Sequence, residues 1–485
     1  MVLEIAAGRL IAPYVGVSIF TWTSIIGVIL AGLALGNWLG GVWADRGAGE
    51  KQAGIILVAA GLACLTILFL LTLVAAYVQR QSISLLSASF IYVASLFFVP
   101  AMLIGMVTPL LTTLSLRLNN RTGHVVGMLH ALAAMGSIVG TFITGYWLIQ
   151  YFGTYAVITS SGVLFFILAI PFVRREALRT VTALLVISLS MVFLTYHRQG
   201  YARPCDAESQ YFCIRVIDVN EETSPGTTTA MILDHLLHGI NHKQSPELIV
   251  SPYVHAMDEL VHLALQSRVS SGHYFFAGGG SYTQPRALLA RYPDSQIVVA
   301  EIDPRVTHMA QTRMDVDVNH MQIQHIDARV ALQQWQGKPF DAIIGDVFHD
   351  VAIPYHLTTK EYARLIKSRL HPQGIYVLNV VDSHPDPLLV KALYKTLKQE
   401  FSHVAIWLED LPYPGGRLTY VLSAANTKMF PTQLEAQAGF ERRWNNQTDV
   451  LMTRYTALQD VPLLTDNFVP VERLIAGLIT TRLGR

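Results

Sequence analysis

Apolar and polar positions divide this chain into two halves with different rhythms. In the first two hundred residues, long runs free of Asp, Glu, Lys and Arg lie at about Ser18 to Val42, Ala53 to Val78, Ile83 to Leu116, Val125 to Ile149, Thr154 to Val173 and Thr180 to Tyr196. A helix that crosses a bilayer needs about 20 such residues. Five runs therefore predict spanning helices, and the sixth is of marginal length. Small residues recur at helical spacing, Gly32, Gly36 and Gly40 in the first run and Gly136 and Gly140 in the fourth, which predicts close helix packing in lipid. Pro100 and Pro109 predict kinks in the third. The acid-free and base-free spans speak against a substrate path through them.

From Gln210 the rhythm shortens. Tyr211 to Val219 and Thr227 to Leu233 alternate as two strands around a Ser-Pro-Gly turn, a small β-hairpin. Strand and helix patterns then alternate. A strand ends at three glycines, a helix follows from Pro285, and strand Ile297 to Ala300 leads to a helix from Pro304 and a strand at Ile323. Beyond them come strand Phe340 to Gly345, helix Thr359 to Leu370, strand Ile375 to Val381 and helix Pro387 to Glu400. That order predicts a parallel sheet wrapped by helices. Val404 to Leu408 and Leu418 to Ser423 have no helix between them, so they should pair antiparallel at one edge. The expected fold is an α-helical membrane domain over 1–200, a β-hairpin segment over 201–235, an α/β Rossmann-like methyltransferase-type domain over 236–425, and a helical extension over 426–485.

Composition supports the division, since 52% hydrophobic and 14% charged residues lie outside the soluble average. Membrane lipid is the expected partner, and a net charge of +1 argues against nucleic acid. Arg46, Lys51, Arg117, Arg121, Arg174, Arg175 and Arg179 fall in alternate loops, against Arg80 in the others. The positive-inside rule places the first group in the cytoplasm; if all six runs span, the second half lies outside it. Cys205 and Cys213 are close enough in sequence for a disulfide in an oxidising compartment. Two unpaired structural cysteines fit equally, and Cys64 reads as core.

The candidate chemistry sits at strand ends. Gly278, Gly279 and Gly280 form a turn over which a ligand can approach the backbone, and Glu301 ends the next strand about twenty residues on, where an acid bonds ribose hydroxyls. The glycines lack the G-x-G-x-x-G spacing of a dinucleotide site. An S-adenosyl co-substrate suits the turn better than a pyrophosphate. Asp327 and Asp346 follow two further strands on the same face. Such acids can cap the next helix, but three around one glycine turn also suit a cationic substrate. No histidine cluster has zinc-ligand spacing, so no metal is expected.

These residues resemble the spermidine synthases, the polyamine aminopropyltransferases, and the whole chain is similar to the membrane-fused branch of that family. The likeness runs through Glu208-Ser209-Gln210-Tyr211, Leu233-Asp234, Gly278 to Gly280 with Pro285-Arg286, and Val299-Ala300-Glu301-Ile302-Asp303-Pro304. It continues in Asp327-Ala328-Arg329, Phe340 to Asp346, His356-Leu357-Thr358-Thr359, Pro412-Tyr413-Pro414-Gly415-Gly416 and Leu464-Thr465-Asp466-Asn467. In the first half it includes Arg9 to Pro13, Trp22-Thr23 and Ala44-Asp45-Arg46, and it implies that the chain begins partway through a membrane helix.

The resemblance implies transfer of an aminopropyl group from decarboxylated S-adenosylmethionine to a polyamine such as putrescine. The glycines and Glu301 would hold the nucleoside, Asp327 would lie near the adenine, and Asp346 would orient and deprotonate the attacking amine. His238, Tyr413, His349 and Asp350 are the amine-side candidates. The sequence departs from the family at Ser281-Tyr282, where Asp-Gly is usual, at His238, where Gln is usual, and at His349 in place of a second aspartate. Methyl transfer from S-adenosylmethionine, or a non-catalytic polyamine- or nucleoside-binding membrane protein, are the alternatives. A homodimer is compatible with all three. An active family member should face the cytoplasm, where the nucleoside substrate is made, against the loop charges.

Overall fold

A computed structural model describes the chain except residues 79–84, 119–120, 174–176, 203, 220–226, 235, 348–352, 412–415, 428 and 476–485. It divides into two compact units, Met1–Cys213 and Ile214–Arg485.

The first unit holds six helices long and apolar enough to cross a membrane, Ile19–Asp45, Glu50–Val78, Leu86–Arg117, Thr122–Phe152, Thr154–Phe172 and Leu178–His197. Each covers one of the apolar runs, and the marginal sixth is a full 20-residue helix. Both prolines of the third run fall inside an unbroken helix. The fourth passes through one π-helical turn at Thr144–Leu148. A further helix occupies Val2–Val15.

The glycines of the first run pack against the backbone of a neighbouring helix, and those of the fourth meet no backbone. A Cβ on Gly36 would lie 2.0 Å from the Met102 carbonyl oxygen, and one on Gly40 would lie 2.5 Å from that of Met106. Gly105 answers from the other helix, 2.6 Å from the Leu33 carbonyl oxygen. By contrast Gly136 would meet nothing within 4 Å, and Gly140 only the Val2 side chain at 3.2 Å. Helical spacing alone does not fix which face meets a neighbour.

The unit ends in strand β1 (Ala207–Glu208). Arg9 donates to the carbonyls of Ser209 and Tyr211 at 2.6 and 2.7 Å. Glu208 accepts from the Thr154 amide and hydroxyl at 3.0 and 2.6 Å. Cys205 and Cys213 are joined in a disulfide, and Cys64 is a buried free thiol. Arg80, Arg174 and Arg175 lie outside the described residues.

Strands β2 (Cys213–Val219), β3 (Thr228–Leu233) and β4 (Leu236–His242) lead into the second unit, β3 pairing antiparallel with both neighbours. The expected hairpin is present as β2 and β3, and β4 extends it, so a boundary at 235 would cut β3 from β4. The Leu236-Leu237-His238-Gly239 stretch hides β4, since it lacks period-two alternation. Helix Pro252–Leu265, which the sequence reading does not include, follows.

The main sheet then contains β5 (His273–Ala277), β6 (Gln296–Ala300), β7 (Met321–Gln324), β8 (Phe340–Gly345), β9 (Leu370–His384), β10 (His403–Glu409), β11 (Gly416–Ala425), β12 (Gln433–Glu435) and β13 (Arg443–Asn446). Their order is β12-β13-β10-β11-β9-β8-β5-β6-β7. Strands β5 to β9 pair in parallel, while β11, β10, β13 and β12 extend the sheet antiparallel from β9. The predicted β10–β11 pair therefore exists, but it lies inside the sheet.

The expected helical extension over 426–485 is instead two strands and the short helices Thr448–Thr453 and Val471–Leu474 among the described residues. Trp444 and Leu434, 2% and 5% exposed, anchor the strands in the core. The same tail is pinned by polar groups. The Lys391 ammonium is buried between Asp386, at 2.6 Å, and the carbonyls of Arg454 and Thr456. Arg329 and Thr359 both donate to Asp466, at 2.8 and 2.7 Å.

Candidate active site

The parallel strands β5, β6 and β8 bring their carboxyl ends together, and the site begins at the glycine turn after β5. Gly278 has φ +86°, and a Cβ there would lie 2.3 Å from the Asp346 carbonyl oxygen, so the two strand ends meet only because this residue lacks a side chain. Glu301, one residue past β6, lies beneath the turn. One of its oxygens accepts from the amides of Gly279 and Gly280 at 2.8 and 3.2 Å, and the other from the Asp303 amide at 2.9 Å. Burial raises its pKa, opposed by those three amides. Glu301 thus braces the glycine turn as well as standing at the expected strand end.

Strand β4 presses on the same turn. Gly239 has φ +150°, and a Cβ there would sit 1.9 Å from the Ser281 hydroxyl. Asn241 donates to the Ser281 carbonyl at 2.8 Å and accepts from the Thr283 hydroxyl at 2.7 Å. Ser281 shares a 2.7 Å hydrogen bond with Thr283.

Asp346 follows β8 directly. Its amide donates to the Ala277 carbonyl at 2.9 Å, and its carboxylate accepts from the Asn379 side-chain amide at 2.9 Å and from the Tyr253 phenol. Burial, with the Glu301 charge adding to it, pushes its pKa up to about 7 against the pull of Asn379 and Tyr253. A carboxyl poised there can exchange a proton near neutrality. A cleft lined by His238, Gly278, Gly279, Ser281, Gln284 and Asp346 encloses about 10 Å³.

Asp327 stands apart from that cleft. One of its oxygens caps helix Ala328–Gln334, accepting from the Arg329 and Val330 amides at 2.9 and 3.2 Å, and the other lies 2.7 Å from the His356 Nε2. Burial pushes its pKa up, but His356 and the helix amides hold it below the ordinary aspartate value. The capping reading thus holds for Asp327, while among the described residues neither Glu301 nor Asp346 caps a helix.

The structure brings Gly278, Gly279, His238 and Asp346 to one cleft, with Gly280 and Glu301 adjoining. His349, Asp350 and Tyr413 lie outside the described residues. Two partners went unread in the sequence, Tyr253 and Asn379, and His356 was read only as part of a family-like segment. Tyr253 had a signal, because Ser251-Pro252 before apolar residues at helical spacing marks a helix start. Asn379 is the lone polar residue in the apolar run Ile375 to Val381.

The spermine/spermidine synthase domain family matches residues 254–432. A polyamine aminopropyltransferase of Vibrio vulnificus is 30% identical over 206 residues, covering 41% of this chain and 67% of that protein. A probable polyamine aminopropyl transferase of Bifidobacterium longum is 27% identical over 136 residues, covering 28% of this chain and 30% of that protein. Among solved structures, a probable spermidine synthase from Corynebacterium glutamicum superposes with a TM-score of 0.46 at 19% identity, covering 54% of this chain and 96% of that one. A spermidine synthase in complex with the transition-state analogue AdoDATO gives 0.33 at 17% identity, covering 45% and 75%. The chain belongs to the spermidine synthase, or polyamine aminopropyltransferase, family and is a transferase.

Proposed function

We propose that this protein is a membrane-anchored aminopropyltransferase that moves the aminopropyl group of decarboxylated S-adenosylmethionine to a polyamine nitrogen. The observation that carries the reading is the half-buried Asp346 carboxyl, pushed up to about 7 and placed against the glycine turn. An ammonium must lose a proton before its nitrogen can attack the carbon beside the sulfonium, and Asp346 accepts that proton. Tyr253 and Asn379 fix the carboxylate's orientation. The nitrogen–carbon bond forms as the carbon–sulfur bond breaks, and the thioether leaves with the electron pair. The glycine turn and Glu301 hold the nucleoside, with Asp327 on the adenine side. The six apolar helices anchor the enzyme in lipid.

One observation favours methyl transfer as a second reading. At Ser281 a hydroxyl bonded to Thr283 stands where a carboxylate would hold the aminopropyl ammonium. A single experiment separates the two. The detergent-solubilised chain is titrated with decarboxylated and with carboxylated S-adenosylmethionine, and products are identified with putrescine and spermidine as acceptors. Aminopropylated amine from the decarboxylated substrate is expected. Turnover of the carboxylated one alone, with a methylated product, would replace this reading with the second.

A further inference from the structure

The hydrogen bonds around Asp327 extend to a residue that the proposed chemistry leaves unused, Asp466 in the tail beyond the family match at 254–432. We propose that Asp466 is a positioning residue for the nucleoside co-substrate, acting through Arg329 and His356 to hold the Asp327 carboxylate for the adenine amino group. The tail thereby tunes the affinity of the site for that substrate. This rests on the reading above that puts the adenine at Asp327.

Both Asp466 oxygens meet Arg329, one 2.8 Å from Nη1 and the other 2.5 Å from Nη2, and such a two-pronged, charge-assisted pair fixes both planes. The Arg329 hydrogen bond holds the Asp466 carboxyl below the ordinary aspartate value, so it is ionised near neutrality. The same Arg329 Nη1 donates to the His356 carbonyl at 3.0 Å. On the far side of His356, the Thr359 hydroxyl donates to Asp466 at 2.7 Å and accepts from the Tyr362 amide at 3.3 Å, capping helix Lys360–Arg369. One carboxylate therefore grips the 3₁₀ turn Tyr355–Leu357 from both sides. From that turn the His356 ring returns to Asp327, its Nε2 2.7 Å from one carboxylate oxygen.

Asp327 has little freedom left. Its other oxygen is taken by the amides of Arg329 and Val330, so an N–H of the ligand must come to the oxygen that His356 touches. A carboxylate oxygen offers two lone pairs. His356 takes one and leaves the other for the adenine amino group, and a ring held by its turn fixes the direction of the one that is left. Plain anchoring of the tail does not account for Asp466. Its side chain is 44% exposed, and an ion pair that open contributes little to stability. The tail has a firmer hold next door at buried Leu464, whose amide donates to the Thr396 hydroxyl at 3.0 Å and whose carbonyl accepts from the Lys360 amide at 2.9 Å. Removing the Asp466 charge should loosen His356 and leave the tail in place.

The test uses the full chain in detergent, with calorimetric binding of decarboxylated S-adenosylmethionine and steady-state turnover with putrescine. Asp466→Asn should weaken nucleoside binding and raise its KM about tenfold, the scale of one charge-assisted hydrogen bond, with kcat and the KM for putrescine within about twofold and the unfolding temperature unchanged. His356→Ala should weaken binding to the same extent. The double variant should bind no more weakly than either single one, because residues acting along one line are not additive. Asp466→Glu, which keeps the charge opposite Arg329, should recover most of the affinity. Unchanged affinity in Asp466→Asn, losses that multiply in the double variant, or a loss that comes with a lower unfolding temperature would overturn the positioning role while leaving aminopropyl transfer standing. A wild-type chain that binds no decarboxylated S-adenosylmethionine would remove the reading on which it rests.

Discussion

Replacing Asp346 by Asn should abolish transfer and, at alkaline pH, make the protein more stable. The folded carboxyl has its pKa pushed from an ordinary 3.8 to about 7 by burial. That difference corresponds to about 4 kcal/mol at 1.36 kcal/mol per pH unit. The sign follows from proton counting. Between pH 4 and 7 the folded state keeps a proton that the unfolded state has released, so folding stability is fully present below the lower value and falls as pH rises through the upper one. Above 7 the desolvated, ionised carboxylate carries the whole cost. Asn is neutral at every pH and can still accept the Asn379 hydrogen bond, so it escapes this cost. From pH 5 to pH 8.5 the variant should gain about 3 kcal/mol on the wild type, or about 6 °C or more in Tm at roughly 2 °C per kcal/mol for a domain of this size. Asp382, also buried and pushed up to about 7, is common to both proteins and cancels in the difference. Thermal unfolding of the second unit, followed in detergent at both pH values, reads the effect, and turnover should fall by about 10² to 10⁴. A Tm gap of equal size at pH 5 and pH 8.5 would refute the assignment of a raised acid at this position.

Three further outcomes are expected. Glu301→Gln should weaken binding of the nucleoside substrate by about 1.5 to 3 kcal/mol by calorimetry, and unchanged affinity in a folded variant would remove Glu301 from the site. Gly36→Leu should lower the detergent-state Tm by several degrees, because its Cβ alone would meet a backbone oxygen at 2.0 Å, whereas Gly136→Leu should be silent in an isolated chain; equal effects would contradict the helix pairing. A cysteine introduced at Lys338 in a Cys205→Ser/Cys213→Ser background should react with an impermeant maleimide in intact cells if the charge-bearing loops face the cytoplasm and all six helices span; labelling only after lysis, in folded protein, would put the second unit on the cytoplasmic side.

The legible part of the fold was the part written in short-range period. Apolar runs gave the six long helices, and β5, β6, β8 and β9 announced themselves as apolar stretches ending in glycine or acid. What escaped was set by distant partners. Strand β4 contains Gly239, which reads as a strand breaker until Ser281 is seen to need its space. The fourth run's glycines match the first run's spacing, yet only the first finds a backbone to pack against. At the site, the acids were visible because each ends a strand. Their partners Tyr253 and Asn379 were not, since one lies nearly a hundred residues before Asp346 and the other looks like an ordinary polar interruption of a strand. Asp327 shows the converse, a site-like position whose oxygens are engaged by a helix start and a histidine.

The strands that close the sheet beyond β10 have a practical consequence for dissecting the protein. The family match ends at residue 432, just before β12 and β13, of which β13 pairs directly onto β10 and carries β12. A chain cut there would leave the backbone of β10 open along Trp407, Leu408 and Glu409, with the apolar face around Trp407 uncovered. An unpaired apolar strand of that kind recruits other chains and aggregates. The same cut would remove Asp466 from Arg329 and Thr359 and strip the buried Lys391 of two of its three acceptors. The catalytic half of this protein is therefore separable only together with its tail.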